Sequence, residues 1–583
     1  MESNDLILLR DNKQDGYEYR KRRHDDWTEN YTLYRDKVQI NRLTQRQSVN
    51  IPLMKQTIRT LLKDIDDMPV VFFENLDNDA EAQTFQNEYW KWTLEYNKAE
   101  LKDLMDKKQD FLFGRTFDQW QIVDGKIKWD IVDPQDILVS RYCDPSCLDS
   151  SRYLIHTHIF KPLSVLEQND SYDKEALARL RTFYKSKQGV IKSHSNEQMY
   201  AEKMKKMMDL GLSDALDPVL GETYVELSLH FVYRGDKEEQ LYLFVEAEDQ
   251  EILLKKPLEE VIGKTKDNYW RNHFPYNSWA DDIDRQDFWT DGVSDIVRPA
   301  NKILNSWISQ LVENRTMRNF GMQFYDSTVA DGFNPGTYQP TPFGFYGVPG
   351  DPNKIIKRVD IPDLSESLDE ISFIIGMSEK ATGATATQQG VQTERKVTLG
   401  EVQLALGEAK ERIKGVSKFY TQAWKERAQK FLKLIEAAPE RLDAVKIYKK
   451  GKNSDNLFVR EIAPKNMMTK SGYTTRIWAQ DEKRTQNTDQ LEKLNAAVAN
   501  IPGNPKLLEI YQRKLLEFAD VSPDDINNVM FLEEQKRQAM ASMNNQMAQP
   551  PMQEQLPAPQ PQPVAPRTEI IGKLKAVKSK IRK

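Results

Sequence analysis

Six aspartates lie close together at Asp281, Asp282, Asp284, Asp287, Asp291 and Asp295. Carboxylates at that density look like metal ligands, but the calcium-loop spacing fails. Counted from Asp287, the third position is Trp289 and the twelfth is Arg298, where oxygen ligands are needed. Acids gathered ahead of a helix more simply answer its positive N-terminal dipole. Cys143, Cys147, His156 and His158 could hold zinc by type, yet their spacing matches no common structural site and reads as two buried thiols and two strand histidines. Gly263-Lys264-Thr265 ends like a phosphate-binding loop, but Leu258 stands where the motif needs its first glycine. Without that turn the backbone amides are not aimed at phosphates. No nucleophile has a base and an orienting partner at a recognisable motif. The chain therefore reads as a non-enzyme with no metal and no cofactor.

Composition narrows the class further. The 583 residues suggest several domains, and 39% hydrophobic with 30% charged residues suits a globular chain with a sizeable core. No window approaches the ~18 consecutive apolar residues of a membrane span, and the first residues, MESNDLILLRDNK, lack the pattern of a signal peptide, so a cytosol-like compartment is expected. Two cysteines argue against a disulfide framework. A net charge of −6 gives no global attraction to nucleic acid, so any contact with DNA must be local or weak.

The stretch from Gly292 to Ala438 organises the chain. Ala300, Ile303, Leu304, Trp307, Ile308, Leu311 and Val312 recur at helical spacing, leaving Lys302, Asn305, Ser309 and Glu313 for neighbours or water. The pattern ends at Arg318, and residues 319 to 361 read as a β-rich insert with many glycines, prolines and aromatics. A second helix follows Pro362, with Asp363 as its cap and Leu364, Leu368, Ile371, Phe373, Ile374, Ile375 and Met377 on its apolar face. Ala381 to Gly390 is small, polar and soft. From Thr393 a proline-free run reaches Ala438 and is stopped by Pro439, a helix of ~65 Å.

Upstream, residues 15 to 40 predict a helix with Trp27, Tyr31 and Tyr34 on one face and the run RKRRHDD as a solvated face. A helix after Asn50-Ile-Pro52 buries Met54, Ile58, Leu61, Leu62 and Ile65, and Pro69 to Phe73 is a short buried strand. Asp79 to about Leu112 is helical and ends near Gly114. Asp124-Gly125 joins Thr116–Val123 to Lys126–Val132 as a hairpin. Strands are expected at Arg152 to Phe160, Thr223 to Arg234 and Leu241 to Lys255, with a charged helical region from about Lys161 to Leu216 between the first two. Residues 267 to 290 read as a loop. Short strands at 444–448, 456–462 and 473–479 precede polar helices to about Met547, a Pro/Gln-rich linker at 549–566 and a basic C-terminal segment.

The order of these parts resembles the portal, or head-to-tail connector, proteins of tailed double-stranded DNA bacteriophages, over most of residues 15 to 530. The similar features are the helix with Trp27 and Tyr31, Asn50-Ile-Pro52 leading a helix to Pro69, the Gly114 hairpin, Asp133-Pro134, Gly292 with Asp295 to Asn301, and Ala381-Thr-Gly383. The resemblance implies an α+β fold of wing, helical stem, β-rich clip and helical crown, assembled as a homo-oligomeric ring, usually a dodecamer, at one capsid vertex of the virion. It implies a wing from residues 1–290 and 395–480, stem helices at 291–318 and 362–380, a clip at 319–361, a tunnel loop at 381–394, a crown at 481–530, and a polar helix, linker and tail at 531–583. The implied partners are further copies, the major capsid or scaffold protein, the large terminase, a head-tail adaptor and passing double-stranded DNA, with assembly in the host cytoplasm.

Lys380, Thr382, Thr385, Thr387, Gln388, Gln389, Arg395 and Lys396 would then face DNA, offering weak phosphate contacts independent of base sequence. Phe320, Phe324, Tyr325, Phe333, Tyr338, Phe343, Phe345 and Tyr346 would form the docking surface for motor and adaptor. In the tail, Ile570, Leu574, Val577 and Ile581 lie opposite lysines on a basic amphipathic helix. The competing classes are another ring-forming head-tail connector and a DNA-packaging ATPase or nuclease, the latter disfavoured by the missing phosphate loop.

Overall fold

Helix α1 (Asn4–Tyr34) lies across a sheet body, and its partners explain why so polar a segment is ordered. The computed structural model describes residues 4–35, 49–64, 68–75, 80–186, 197–209, 223–234, 239–319, 323–325, 356–358, 367–382, 399–450, 457–467 and 475–479. The chain divides into units Met1–Lys483 and Arg484–Lys583, and every described residue lies in the first. The expected crown, linker and basic tail lie outside the described residues. Within α1, Trp27 and Tyr34 are buried but Tyr31 is exposed. The run RKRRHDD is not simply a solvated face: Lys21 and Arg22 are exposed, whereas Arg20 is buried against Glu202 and the Gln135 carbonyl.

Two antiparallel sheets carry the body. In the larger, β4 (Ile137–Val139), β5 (Tyr153–Pro162), β6 (Tyr224–Arg234), β7 (Gln240–Ala247) and β8 (Glu251–Pro257) run antiparallel in chain order, with the short helix α8 (Leu258–Ile262) directly after β8. Within Leu241 to Lys255, where the pattern predicts strand, the structure has a tight turn at Glu248 and Asp249, both with φ of 56°. Such φ values favour Gly or Asn. Here buried Lys203 and Lys13 hold the two acids through ion pairs. The charged region between β5 and β6 is short helices, α5 (Leu163–Glu167), α6 (Lys174–Ser186) and α7 (Glu197–Asp209). On α7, Lys206 docks on the turn that leads into β4, bonding Asp133 at 2.7 Å and Asp136 at 3.0 Å. His158 also bonds Asp136; burial works to raise the Asp136 carboxyl, but His158 and Lys206 together hold it down to about 2.

In the smaller sheet, β2 (Thr116–Val123) is flanked by β3 (Lys126–Val132) and β9 (Tyr276–Trp279). The hairpin turn forms as expected, with φ of 49° at Asp124 and 72° at Gly125. Residues 267–290 are not merely a loop, because they supply β9 and bury Trp270, Phe274, Tyr276, Trp279, Phe288 and Trp289. Their aromatic density is core material.

Helix α2 (Leu53–Asp64) buries Met54, Ile58 and Leu61, while Ile65 lies outside the described residues. The helix expected from Asp79 to Leu112 is two, α3 (Ala80–Tyr96) and α4 (Ala99–Phe113), broken where Lys98 takes φ 53°. Asn97 stabilises the break, donating to Thr93 O and Ile127 O and accepting from Trp129 N. Late in the unit β12 (Val445–Lys450) pairs antiparallel with β13 (Leu457–Ile462), and strand β1 (Val71–Asn75) pairs antiparallel with the distant β14 (Thr475–Ala479), bringing the early and late parts of the unit together.

Candidate functional site

The helices bracketing the insert are α9 (Val293–Asn319) and α10 (Ser367–Thr382), which pack on each other. Between them β10 (Gln323–Tyr325) pairs antiparallel with β11 (Ile356–Arg358), joining Gln323 to Arg358 and Tyr325 to Ile356. The insert therefore leaves and rejoins the helix pair through adjacent strands. Phe324 and Tyr325 sit on β10; Phe320, Phe333, Tyr338, Phe343, Phe345 and Tyr346 lie outside the described residues.

The start of α9 is fixed to α1 by charge. Arg23 pairs with Asp291 at 2.6 Å and Asp295 at 2.5 Å, Asn30 donates to Asp295 at 3.0 Å, and Arg298 meets Asp26 at 2.8 Å and Asp295 at 3.2 Å. Asp295 also accepts from Gly292 N at 2.9 Å, closing the first turn of α9. Two turns later Lys302 pairs with Glu29 at 2.5 Å. Asn305 accepts from Ile51 N at 2.8 Å and Ser309 from Val49 N at 3.0 Å, so side chains left for neighbours in the sequence reading are used inside the chain.

Backbone contact closes the same joint. Gly114 ends α4 with φ 79°, and a side chain there would collide with the Thr290 carbonyl and the backbone of Asp291 and Gly292. Thr290 Oγ1 donates to Gly114 O at 2.6 Å, and Trp27 Nε1 donates to Phe113 O at 2.9 Å. Beside this joint, Asp281 N donates to Asp110 at 3.3 Å. Burial pushes Asp281 up to about 7, with the charge of Asp282 adding, and burial followed by Asp281 and Asp106 holds Asp110 well above the carboxylate range.

Helix α11 (Leu399–Ala437) returns the chain to the body and ends before Pro439, as expected. Its last half buries Tyr420, Trp424, Ala428, Phe431 and Ile435. Buried Arg427 meets Asp106 at 2.6 Å and Asp118 at 2.8 Å, while Trp279 and Trp129 indoles donate to the same two acids. The anchor ties α4, β2 and α11 into one core.

Between α10 and α11 lies the expected DNA-facing segment. Lys380 is exposed near the end of α10. Thr382, in its last turn, donates to Ser378 O at 2.9 Å. Thr385, Thr387, Gln388, Gln389, Arg395 and Lys396 lie outside the described residues.

The six aspartates do not converge. Asp287 takes Tyr19 OH at 2.8 Å, Asp281 faces Asp110, and Asp291 and Asp295 take Arg23. His156 bonds Tyr276 at 2.9 Å and His158 bonds Asp136 at 3.0 Å. Cys143 is buried but Cys147 is exposed, against the reading of two buried thiols. Gly263-Lys264-Thr265 is a packing joint: Gly263 lies against the Ala437 carbonyl, and Thr265 Oγ1 accepts from Tyr269 N at 2.7 Å. Among the described residues no helix is long and apolar enough to cross a membrane.

The joint around Gly114, Gly292 and Asp295 was visible in sequence only as scattered features. Arg23, Asn30 and Arg427 gave no signal of their own, because their partners lie far away in the chain. Sequence comparison puts this chain in the class of bacteriophage portal proteins. Over residues 56–563 the chain matches the family described as phage SU10 portal protein, and it belongs to that family. No curated protein matches it.

Proposed function

We propose that copies of this chain assemble in the host cytoplasm into a ring, a dodecamer, that sits at one capsid vertex and passes double-stranded DNA during packaging and ejection. The observation that carries this reading is the portal-family match across residues 56–563. The helix pair with its strand-paired insert is compatible with it. In this reading residues 319–361 are the clip, which docks the large terminase during filling and a head-tail adaptor afterwards. Residues 381–394 are the tunnel loop, bounded by Lys380 and by Arg395 and Lys396. Its hydroxyls and amides make weak contacts to phosphates whatever the base sequence. The modest acidity of the chain keeps DNA sliding instead of binding. Chemistry belongs to the motor, and this chain supplies the channel and the platform.

Electron microscopy of the purified chain tests the reading directly. A twelve-fold, mushroom-shaped ring supports it, and a monomer or another shape removes it. Removing Gly383 to Gln389 tests the loop: rings should form, while packaging is impaired or packaged DNA slips. Rings that fill and retain DNA like the parent leave the loop a mere connection.

A further inference from the structure

Helix α10 carries an apolar face that its own helix pair leaves open. Phe373 is 68% exposed and Met377, one turn on, is 52% exposed, although both belong to the apolar set that predicts this helix. The helical spacing sets them away from the side where Ile371 and Ser378 are buried. Gly376 lies between them in the helix interior, where glycine is unfavourable relative to alanine. Its backbone is not left-handed, and a Cβ there would meet nothing within 4 Å. Among the described residues, no neighbour requires the missing side chain. A bare strip of helix beside an exposed phenylalanine and methionine is shaped for the close approach of another helix.

The charges indicate which helix approaches. Asp369 and Glu370 are exposed at the start of α10, and Arg315 and Arg318 are exposed near the end of α9. Both ends adjoin the β10–β11 pair, so they lie at the same end of the helix pair. On α9, Val312 is 47% exposed one turn before Arg315. A ring is built from heterologous contacts, in which each copy offers two different patches. Copies standing side by side in the same orientation would set the acidic start of one α10 against the basic end of the next α9.

We propose that the α10 face formed by Phe373, Gly376 and Met377 is the surface on which a second copy of this chain seats its α9, with Val312 and Arg315 at the contact. The proposal rests on the ring reading and names its helical contact. Sedimentation of the full chain tests it, with circular dichroism and thermal melting as the check on folding. Phe373→Glu should melt like the parent and associate more weakly by on the order of tenfold or more. Glu370→Arg should weaken assembly without touching the apolar face, and adding Arg315→Glu should restore it. If both single variants assemble like the parent, the contact is overturned and the ring reading stands. A parent chain that stays monomeric at every concentration overturns both.

Discussion

Asp281 shows how one buried carboxyl can set the pH response of a joint. Its pKa rises on folding from 3.8 to about 7, so between these values the folded chain binds more protons than the unfolded one. This contribution to stability is complete below pH 3.8 and is lost as pH rises through about 7. Replacing Asp281 with Asn should flatten the fall in melting temperature between about pH 4 and pH 7, and an unchanged slope would assign that fall elsewhere. Gly114 is a second sensitive position. Any side chain there meets the backbone of Thr290 and Asp291 in a left-handed conformation, so Gly114→Ala should cost about 3 kcal/mol or more, read by chemical denaturation. Arg427→Ala would strand two buried carboxylates and should cost about 3–5 kcal/mol.

At the scale of elements, helix α9 is the one whose placement the other parts depend on. Its first turns are tied to α1 by Arg23, Asn30 and Arg298, and its middle holds the backbone at Val49 and Ile51. Asp295→Ala removes the centre of the first set. Faster amide exchange should then appear in the opening turns of α9 while β2 and β3 stay protected, and uniform exchange across the body would refute this division. The insert is a separable element because β10 and β11 close its base. Deleting Asp331 to Pro349 should leave the body's melting unchanged and abolish adaptor pull-down. Retained binding would move the docking surface elsewhere.

For the whole molecule, the unit Met1–Lys483 is held together across great sequence distance. Strand β1 pairs with β14, and α11 inserts Arg427 between α4 and β2. A truncation ending before β14 should therefore destabilise the N-terminal half as well. The basic segment from Arg567 to Lys583 lies in the other unit and should be dispensable for folding of the first. Its removal should weaken partner binding or DNA retention; unchanged assembly, partner binding and retention would make it a solubilising tail.

Periodicity and punctuation by themselves determined the local elements: the Asp124-Gly125 turn, the end of α4 at Gly114, the helices around the insert and the stop at Pro439. These depend on backbone preferences and on which face is apolar, both of which are written within a few turns of chain. The order of those elements also sufficed for the portal resemblance. Tertiary structure alone decided what long-range partners control. It turned part of the RKRRHDD run into ties to α7 and α9, split Asp79–Leu112 at Lys98, closed a tight turn at Glu248 and Asp249 without glycine, and drew β9 out of an apparent loop. It also left Phe373 and Met377 exposed on a stripe that reads as core. A hydrophobic period states that a face will be covered, but the partner that covers it, within the chain or beyond it, is decided only when distant segments meet.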